Sequence, residues 1–259
     1  MLVFSFEIFD IKLNTDFIGR NFIYAEEIDS TNSALLDKSN NINTNGSVFL
    51  AEMQTAGRGR KDRIWESNKE QNLTFSIMIT DKALLKKSIN FINFGAALAV
   101  SSAIENLYQI KTELKWPNDV LINSKKISGI LLESISSGNS ITKLVVGFGV
   151  NVNQSAFPGE YNIHPTSLRF EAGHEVSREG LLAEILNLFE EILIKIKENP
   201  SNILKDWKNR CRMIGEKISI TEDNNVKYGI FDDLDDEGYL LLRTKDGMEK
   251  IHFGDVTVR

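Results

Sequence analysis

The residues best suited to chemistry in this chain lie between positions 57 and 65, in the run GRGRKDRIW. Four cations, Arg58, Arg60, Lys61 and Arg63, are crowded into a protein whose formal net charge is -6. Guanidinium forks match phosphate and carboxylate oxygens. Gly57 and Gly59 allow close backbone approaches that a side chain would block, and the indole of Trp65 can cover a flat ring. The run therefore reads as a loop that closes over an anionic ligand. The plainer alternative is a solvated basic hairpin tip, and the neighbouring segments have to decide between them.

Three other groups bear on that decision. In EEIDSTNSALLDK, Ser30 or Thr31 can cap a helix carrying Leu35 and Leu36 inward. Ser30, Thr31 and Asn32 can also hydrogen-bond a small polar head group such as a ureido ring, which offers both donors and an acceptor. In ELKWPNDVLI, Pro117 interrupts two short apolar runs, so that Lys115, Asn118 and Asp119 fall at a bend. In KKISGILLESI, a glycine inside a strand, Gly129, marks a place where a ligand or another backbone comes close. Lys126 follows Asp119 by about the length of a hairpin, so both side chains can face one cavity. The GxG at Gly147 and Gly149 lacks the further glycine and following helix of a dinucleotide fingerprint and is weak by itself.

These residues must be carried by regular elements. Residues 46–53 read as a buried strand that leads through Gln54 into the basic loop, and 72–79 as an alternating strand after it. Apolar positions Ile89, Ile92, Ala96, Val100, Ala103, Ile104 and Leu107 recur at helical spacing across 84–108. A strand is expected at 142–153, an irregular connection at 154–176, an amphipathic helix at 177–197 ended by Asn199-Pro200, and a second helix at 203–214 stopped by Gly215. Residues 1–28 form a lead-in with a strand around Phe22, Ile23 and Tyr24. From 216 onward, five short alternating segments separated by DNN, DDEG, KDG and GD turns read as a small antiparallel barrel. The expected domains are thus 1–215 and 216–259.

Composition narrows the class. At 259 residues, 42% hydrophobic and 25% charged, the chain is an ordinary globular sequence. The acidic balance and single compact basic cluster argue against a general nucleic-acid binder. A lone Cys211 rules out an internal disulfide framework and fits a reducing cytoplasm. No apolar run reaches the roughly 18 residues that span a bilayer, and three scattered histidines without ligand spacing make a built-in catalytic zinc unexpected.

Together, STN at 30–32, QTAGRGRKDRIW at 54–65, KWPNDV at 115–120, KKISGILLE at 125–133, GFGVNVN at 147–153 and the terminal FGDVTVR resemble the biotin protein ligases. The resemblance spans most of the chain. It implies an α+β fold, a mixed β-sheet flanked by helices of the class II synthetase and biotin-lipoate ligase kind, with a small C-terminal SH3-like barrel. It implies activation of biotin by ATP and Mg²⁺ to biotinyl-5'-AMP, and transfer to a lysine of a biotin carboxyl carrier domain, in the cytoplasm, with neither nucleic acid nor membrane as partner. By the same resemblance Ser30, Thr31, Asn32, Gln54, Gly57, Arg58, Arg60, Lys126 and Gly129 hold biotin. Arg58, Arg60, Arg63, Trp65, Asn118, Lys126, Asn151 and Arg259 meet the nucleotide, and Lys126, Arg60 and Asp119 take part in catalysis. The family loop usually reads GRGRxGRxW, and Asp62 stands here at its later glycine, adding a carboxylate beside the phosphates. Larger family members carry an N-terminal helix-turn-helix, for which the stretch before Ser30 is too short, so no DNA-binding role is expected. Lipoate ligases share the adenylation logic, and a non-catalytic biotin-binding module would keep Ser30 to Asn32 and Gln54 without needing Lys126 or the arginines.

Overall fold

The computed structural model of the chain describes residues 4–61, 63–87, 89–222 and 225–258. Its centre is a seven-stranded sheet in the order β1-β2-β3-β7-β6-β5-β4. The strands are β1 (Phe22–Ala25), β2 (Val48–Ala51), β3 (Leu73–Ile79), β4 (Glu113–Lys115), β5 (Asp119–Ile122), β6 (Lys125–Ser137) and β7 (Ser140–Val150). β1 runs parallel to β2, and every other pairing is antiparallel, which makes the sheet mixed. The helices are α1 (Phe6–Lys12), α2 (Thr31–Leu36), α3 (Lys82–Leu85), α4 (Ile89–Tyr108), α5 (Leu168–Ala172), α6 (Arg178–Glu198) and α7 (Pro200–Arg210). A second, antiparallel sheet follows, ordered β11-β10-β9-β8-β12, from β8 (Lys217–Glu222), β9 (Asn225–Leu234), β10 (Leu240–Thr244), β11 (Gly247–Ile251) and β12 (Asp255–Val258). These are the five terminal segments read from the sequence.

The two faces of the first sheet do different work. Leu73, Phe75 and Ile77 of β3 and Val146, Phe148 and Val150 of β7 point into the main core with α4 and α6, where Phe75 stacks on Phe148 with ring centroids 4.6 Å apart. The opposite face carries Phe49, Met78 and Val145, which pack under Ala34 and Leu35 of α2. β3 alternates in composition as expected, yet all seven residues are buried. Its polar positions Thr74 and Ser76 are covered by the site rather than by water.

Several expected boundaries move. The single helix over 84–108 is two, with α3 capped separately by Asp81 and Ile89 and Leu107 left 38% and 43% exposed. α7 begins at Pro200 and ends at Arg210, short of the expected 203–214, because Asn199 caps it with Pro200 in the first turn and Cys211 already has extended backbone. The connection at 154–176 contains α5, capped by Ser167 and closed by Gly173 at φ 79°. The lead-in contains α1, held on α6 by the bonds Ser5 N to Glu179 Oε1 (3.0 Å), Asn14 N to Asn187 Oδ1 (2.7 Å) and Ile18 N to Glu190 Oε2 (2.8 Å). Trp207 and Cys211 are packing residues, as read; the Trp207 ring stacks on Phe94 at 4.6 Å.

Candidate active site

Strand register builds the floor of the site. Thr74 of β3, Gly149 of β7, Gly129 of β6 and Asp119 of β5 are successive cross-strand partners, and Ser76, Gly147 and Leu131 form the next row. Because side chains alternate across a strand, both rows face away from the main core. Three glycines at the centre of the sheet leave a trough, and side chains occupy it over two of them. A Cβ on Gly149 would lie 2.2 Å from the Trp65 ring, and one on Gly147 would lie 2.4 Å from Asn32 Oδ1. Above this floor is a cavity of about 1250 Å³ lined by residues from every motif quoted above, Asn118 and Asn151 included.

At one end lies a polar network. Ser30 caps α2 by accepting from Ser33 N, and Ser30, Thr31 and Asn32 are all buried. Gln54 Oε1 accepts from Thr31 N at 2.8 Å. Thr31 Oγ1 lies 2.6 Å from Ser76 Oγ, and Ser76 Oγ donates to Asn32 Oδ1 at 2.6 Å. Asn32 Nδ2 donates to Glu133 Oε2 at 2.7 Å. The short polar residues thus both cap a helix and line a cavity, so the two readings of Ser30 to Asn32 are compatible.

At the other end the basic run is a hairpin, closed by Trp65 N to Gly57 O at 3.0 Å and Gly59 N to Arg63 O at 2.6 Å. The cations of its tip are pinned to the second sheet, although Lys61 and Arg63 stay exposed to solvent. Asp255 of β12 draws in Arg63 (2.5 Å), Lys61 (3.8 Å) and Arg60 (4.0 Å), while Gly254 O accepts from Arg60 at 3.1 Å and Thr221 O from Lys61 at 2.9 Å. Arg60 also donates to Asn118 Oδ1 at 3.2 Å. Arg58 leaves this group and pairs with Glu133 instead, both Glu133 oxygens lying 2.9 Å from its NH2. Asp62 and Arg259 lie outside the described residues.

Lys126 and Asp119 stand between the two ends, Nζ to Oδ1 at 2.6 Å, with Nζ 5.7 Å from the centre of the Trp65 ring. Burial lowers the pKa of Arg60, opposed by Asp255 and Asp119, and burial likewise lowers that of Lys115. For Asp255, burial alone would raise the carboxyl, but the Arg63 hydrogen bond and the charges of Arg63, Arg60 and Lys61 bring it below its ordinary value. Such a set of cations, with Arg60 and Lys115 partly withdrawn from water, is suited to stabilising a polyanion.

Glu133 and Ser76 were given no role from the sequence, and Gly147, Gly149 and Asp255, though they fall in quoted motifs, were assigned none either. A glutamate inside the apolar run KKISGILLESI was a visible signal, and Gly147 and Gly149 carry the same signal as Gly129. Nothing local distinguishes Asp255.

The model of the biotin/lipoate A/B protein ligase family matches residues 24–151, and that of the biotin protein ligase C terminal domain matches residues 213–259. The chain is 34% identical over 249 residues to the bifunctional ligase/repressor BirA of Bacillus spizizenii, covering 94% of this chain and 76% of that protein. It is 32% identical over 236 residues to the biotin-[acetyl-CoA-carboxylase] ligase of Paracoccus denitrificans, covering 88% and 96%. Among solved structures, the biotin protein ligase of Aquifex aeolicus in complex with biotin and ATP superimposes with a TM-score of 0.81 at 31% identity, over 93% of this chain and 99% of that one. With the motifs gathered round one cavity and both parts of the chain matched, the chain belongs to the biotin/lipoate A/B protein ligase family and, within it, to the biotin protein ligases.

Proposed function

We propose that this ligase joins biotin and ATP in the cavity above Gly129 and Gly149, forming biotinyl-5'-AMP, and passes the biotinyl group to a lysine of a biotin carboxyl carrier domain. The observation that carries the reading is the cavity's polarity: neutral donors and acceptors at one end, cations at the other, and Lys126 with Asp119 between. Ser30, Thr31, Asn32 and Gln54 would meet the ureido ring, with Gly57 and Arg58 fixing the base of the hairpin beside them. Arg60, Arg63 and Asn118 would face the phosphates and nucleotide, and Trp65, Gly129 and Asn151 would wall the middle. A lipoyl dithiolane has no N–H or carbonyl to satisfy the Thr31, Asn32 and Gln54 groups, and leaving them unpaired would cost affinity.

In the first step one anion, the biotin carboxylate, attacks another, the α-phosphate, breaking the α–β phosphoanhydride and releasing pyrophosphate. Lys126 has three N–H groups and commits one to Asp119, which leaves donors for both reacting anions. Mg²⁺ accompanying ATP would neutralise phosphate charge, and of the carboxylates lining that region Asp119 and Asp255 would be the ones within reach of it. The mixed anhydride formed is destroyed by water, so a hairpin that orders over it protects it. In the second step, only about one in a few thousand exposed lysines is unprotonated at neutral pH. Asp119 would orient the incoming amine or take its proton.

Residues 1–215 would form the catalytic domain and 216–259 the SH3-like one, working in the cytoplasm; among the described residues no helix is long and apolar enough to cross a membrane. Incubating the chain with labelled biotin and a purified carrier domain, with ATP and Mg²⁺ omitted in turn, tests the reading. Label on one carrier lysine only in the complete mixture is expected, and label that ignores ATP would refute it.

The grip of Asp255 on the hairpin gives a second expectation. Asp255→Lys turns three attractions into three repulsions. Although each partly exposed pair is individually weak, the summed change should raise KM for ATP about tenfold while biotin affinity holds. A depressed carboxyl favours the paired state above its ordinary range and loses it as pH falls through the lowered value, so in the native chain this grip should fail only in strong acid. Steady-state kinetics against ATP decide the matter, and an unchanged KM would remove Asp255 from nucleotide binding.

A further inference from the structure

Glu133 stands behind the cavity wall and touches two residues that line it, Asn32 and Arg58. We propose that Glu133 is a positioning residue for recognition of the ureido ring, and thereby a determinant of which ring the cavity accepts. The inference rests on the biotin reading above.

A primary amide presents an oxygen or an NH₂ depending on how it is turned, and the two faces select opposite ligand groups. An ionised carboxylate is acceptor-only, so contact with Glu133 Oε2 at 2.7 Å draws the Nδ2 side of Asn32 to itself. Leu131 O, 3.4 Å from the same nitrogen, reinforces the choice. Oδ1 is thereby turned toward Ser76, whose hydroxyl donates to it at 2.6 Å, and over Gly147 at the cavity floor. An amide oxygen has two lone pairs, and Ser76 takes one. The other is left to accept an N–H from the ligand, which a ureido ring has and a dithiolane lacks.

The same carboxylate holds Arg58, both oxygens lying 2.9 Å from NH2, while Arg58 NH1 donates to Ser33 Oγ at 2.8 Å on α2. Glu133 therefore ties the base of the hairpin to the helix that carries the head-group residues. It also neutralises the one loop arginine that stands apart from the Asp255 group.

Glu133→Gln is nearly isosteric but offers an NH₂ as well as an oxygen. Asn32 can then turn either way, and Arg58 loses its anion. Calorimetric titration of wild type and E133Q with biotin should show affinity about tenfold weaker or worse in the variant, the scale of a lost hydrogen bond to a charged group. KM for ATP and kcat at saturating biotin should stay within about twofold. Biotin methylated on a ureido nitrogen should be rejected strongly by wild type and less selectively by E133Q, a shift that general loosening of the fold would not produce. If E133Q does not fold, Glu133→Asp, which keeps the charge on a shorter stem, is expected to show the same biotin-selective loss. Wild-type biotin binding that survives either substitution within twofold would overturn the proposal alone. Failure of wild type to bind biotin would overturn the functional reading and this inference with it.

Discussion

Replacing Lys126 with methionine should slow adenylate formation by about 10²–10³-fold, the scale of removing one donor aimed at developing charge, while the protein stays folded and still binds biotin. The substitution keeps the apolar stem beside Trp65 and Gly129, where Lys126 Cε would be 3.1 Å from an added Cβ, and removes only the ammonium. The backbone at this position is gripped on both sides, by Lys126 N to His164 O at 2.8 Å and Thr166 N to Lys126 O at 2.9 Å, so the strand has no reason to move. What is lost is the point charge that lets a carboxylate and a phosphate approach. Among the described residues, the head-group network between Thr31 and Glu133 does not involve this ammonium, since its bonds run through Gln54, Ser76 and Asn32. Biotin affinity should therefore fall much less than the rate. Arginine at the same place restores charge but brings a planar fork to a site fitted to a compact ammonium, and should recover activity only in part. Single-turnover formation of biotinyl-5'-AMP measures the step directly. A rate within about fivefold of wild type would mean that the Arg60 and Arg63 side of the cavity carries the electrostatic work.

The contrast between what could and could not be read from the sequence follows the range of the interactions. The cap at Ser30, the buried strand leading into Gln54, the bend at Pro117 and the five terminal strands are local patterns, written in turn chemistry and alternation. The pairing of Asp119 with Lys126 was also legible, because a short hairpin brings nearby residues together, and the structure puts them 2.6 Å apart. The hairpin's destination was not. Its four cations suggested either a ligand loop or a solvated tip, and where they are held depends on Asp255, almost two hundred residues away in sequence, a contact about which side-chain periodicity says nothing and which exists only because β12 of the second sheet lies beside the hairpin. α1 was missed for a related reason. Phe9 is the only one of its seven residues that is buried, so no apolar stripe marks it, and its support comes from Glu179, Asn187 and Glu190 on α6. The alternation of β3 was legible, but not what its polar face meets: Thr74 and Ser76 are buried, with Ser76 bonded to Thr31 and Asn32.

The second large effect concerns a buried ion pair that supports the site from beneath. Arg178, the first residue of α6, and Glu52, just beyond β2, are 4% and 1% exposed in their side chains and pair directly, with a further bond from Arg178 NH2 to Glu52 Oε1 at 3.2 Å. Arg178 also donates to Asn72 O at 3.3 Å, and its guanidinium lies 5.9 Å from the Phe4 ring. Tyr24 donates to Glu52 at 3.2 Å, and burial together with the Glu52 charge pushes its hydroxyl up to about 12. Arg178→Met leaves a buried carboxylate with Tyr24 as its remaining side-chain donor among the described residues, and should cost about 3–5 kcal/mol of stability. Changing both partners to apolar residues, Glu52→Leu with Arg178→Met, removes the stranded charge and should recover most of that loss. Urea titration of the two single variants and the double variant gives the coupling directly. Because Glu52 precedes Gln54 by two residues, saturating biotin should raise the melting temperature of R178M if the head-group pocket still forms. Recovery in the double variant together with that shift would show the pair to be a support for the segment entering the hairpin. A single-variant cost below about 1 kcal/mol would mean that water reaches Glu52 and that the segment is held by its backbone bonds instead, Ile28 N to Met53 O and Thr55 N to Ile28 O.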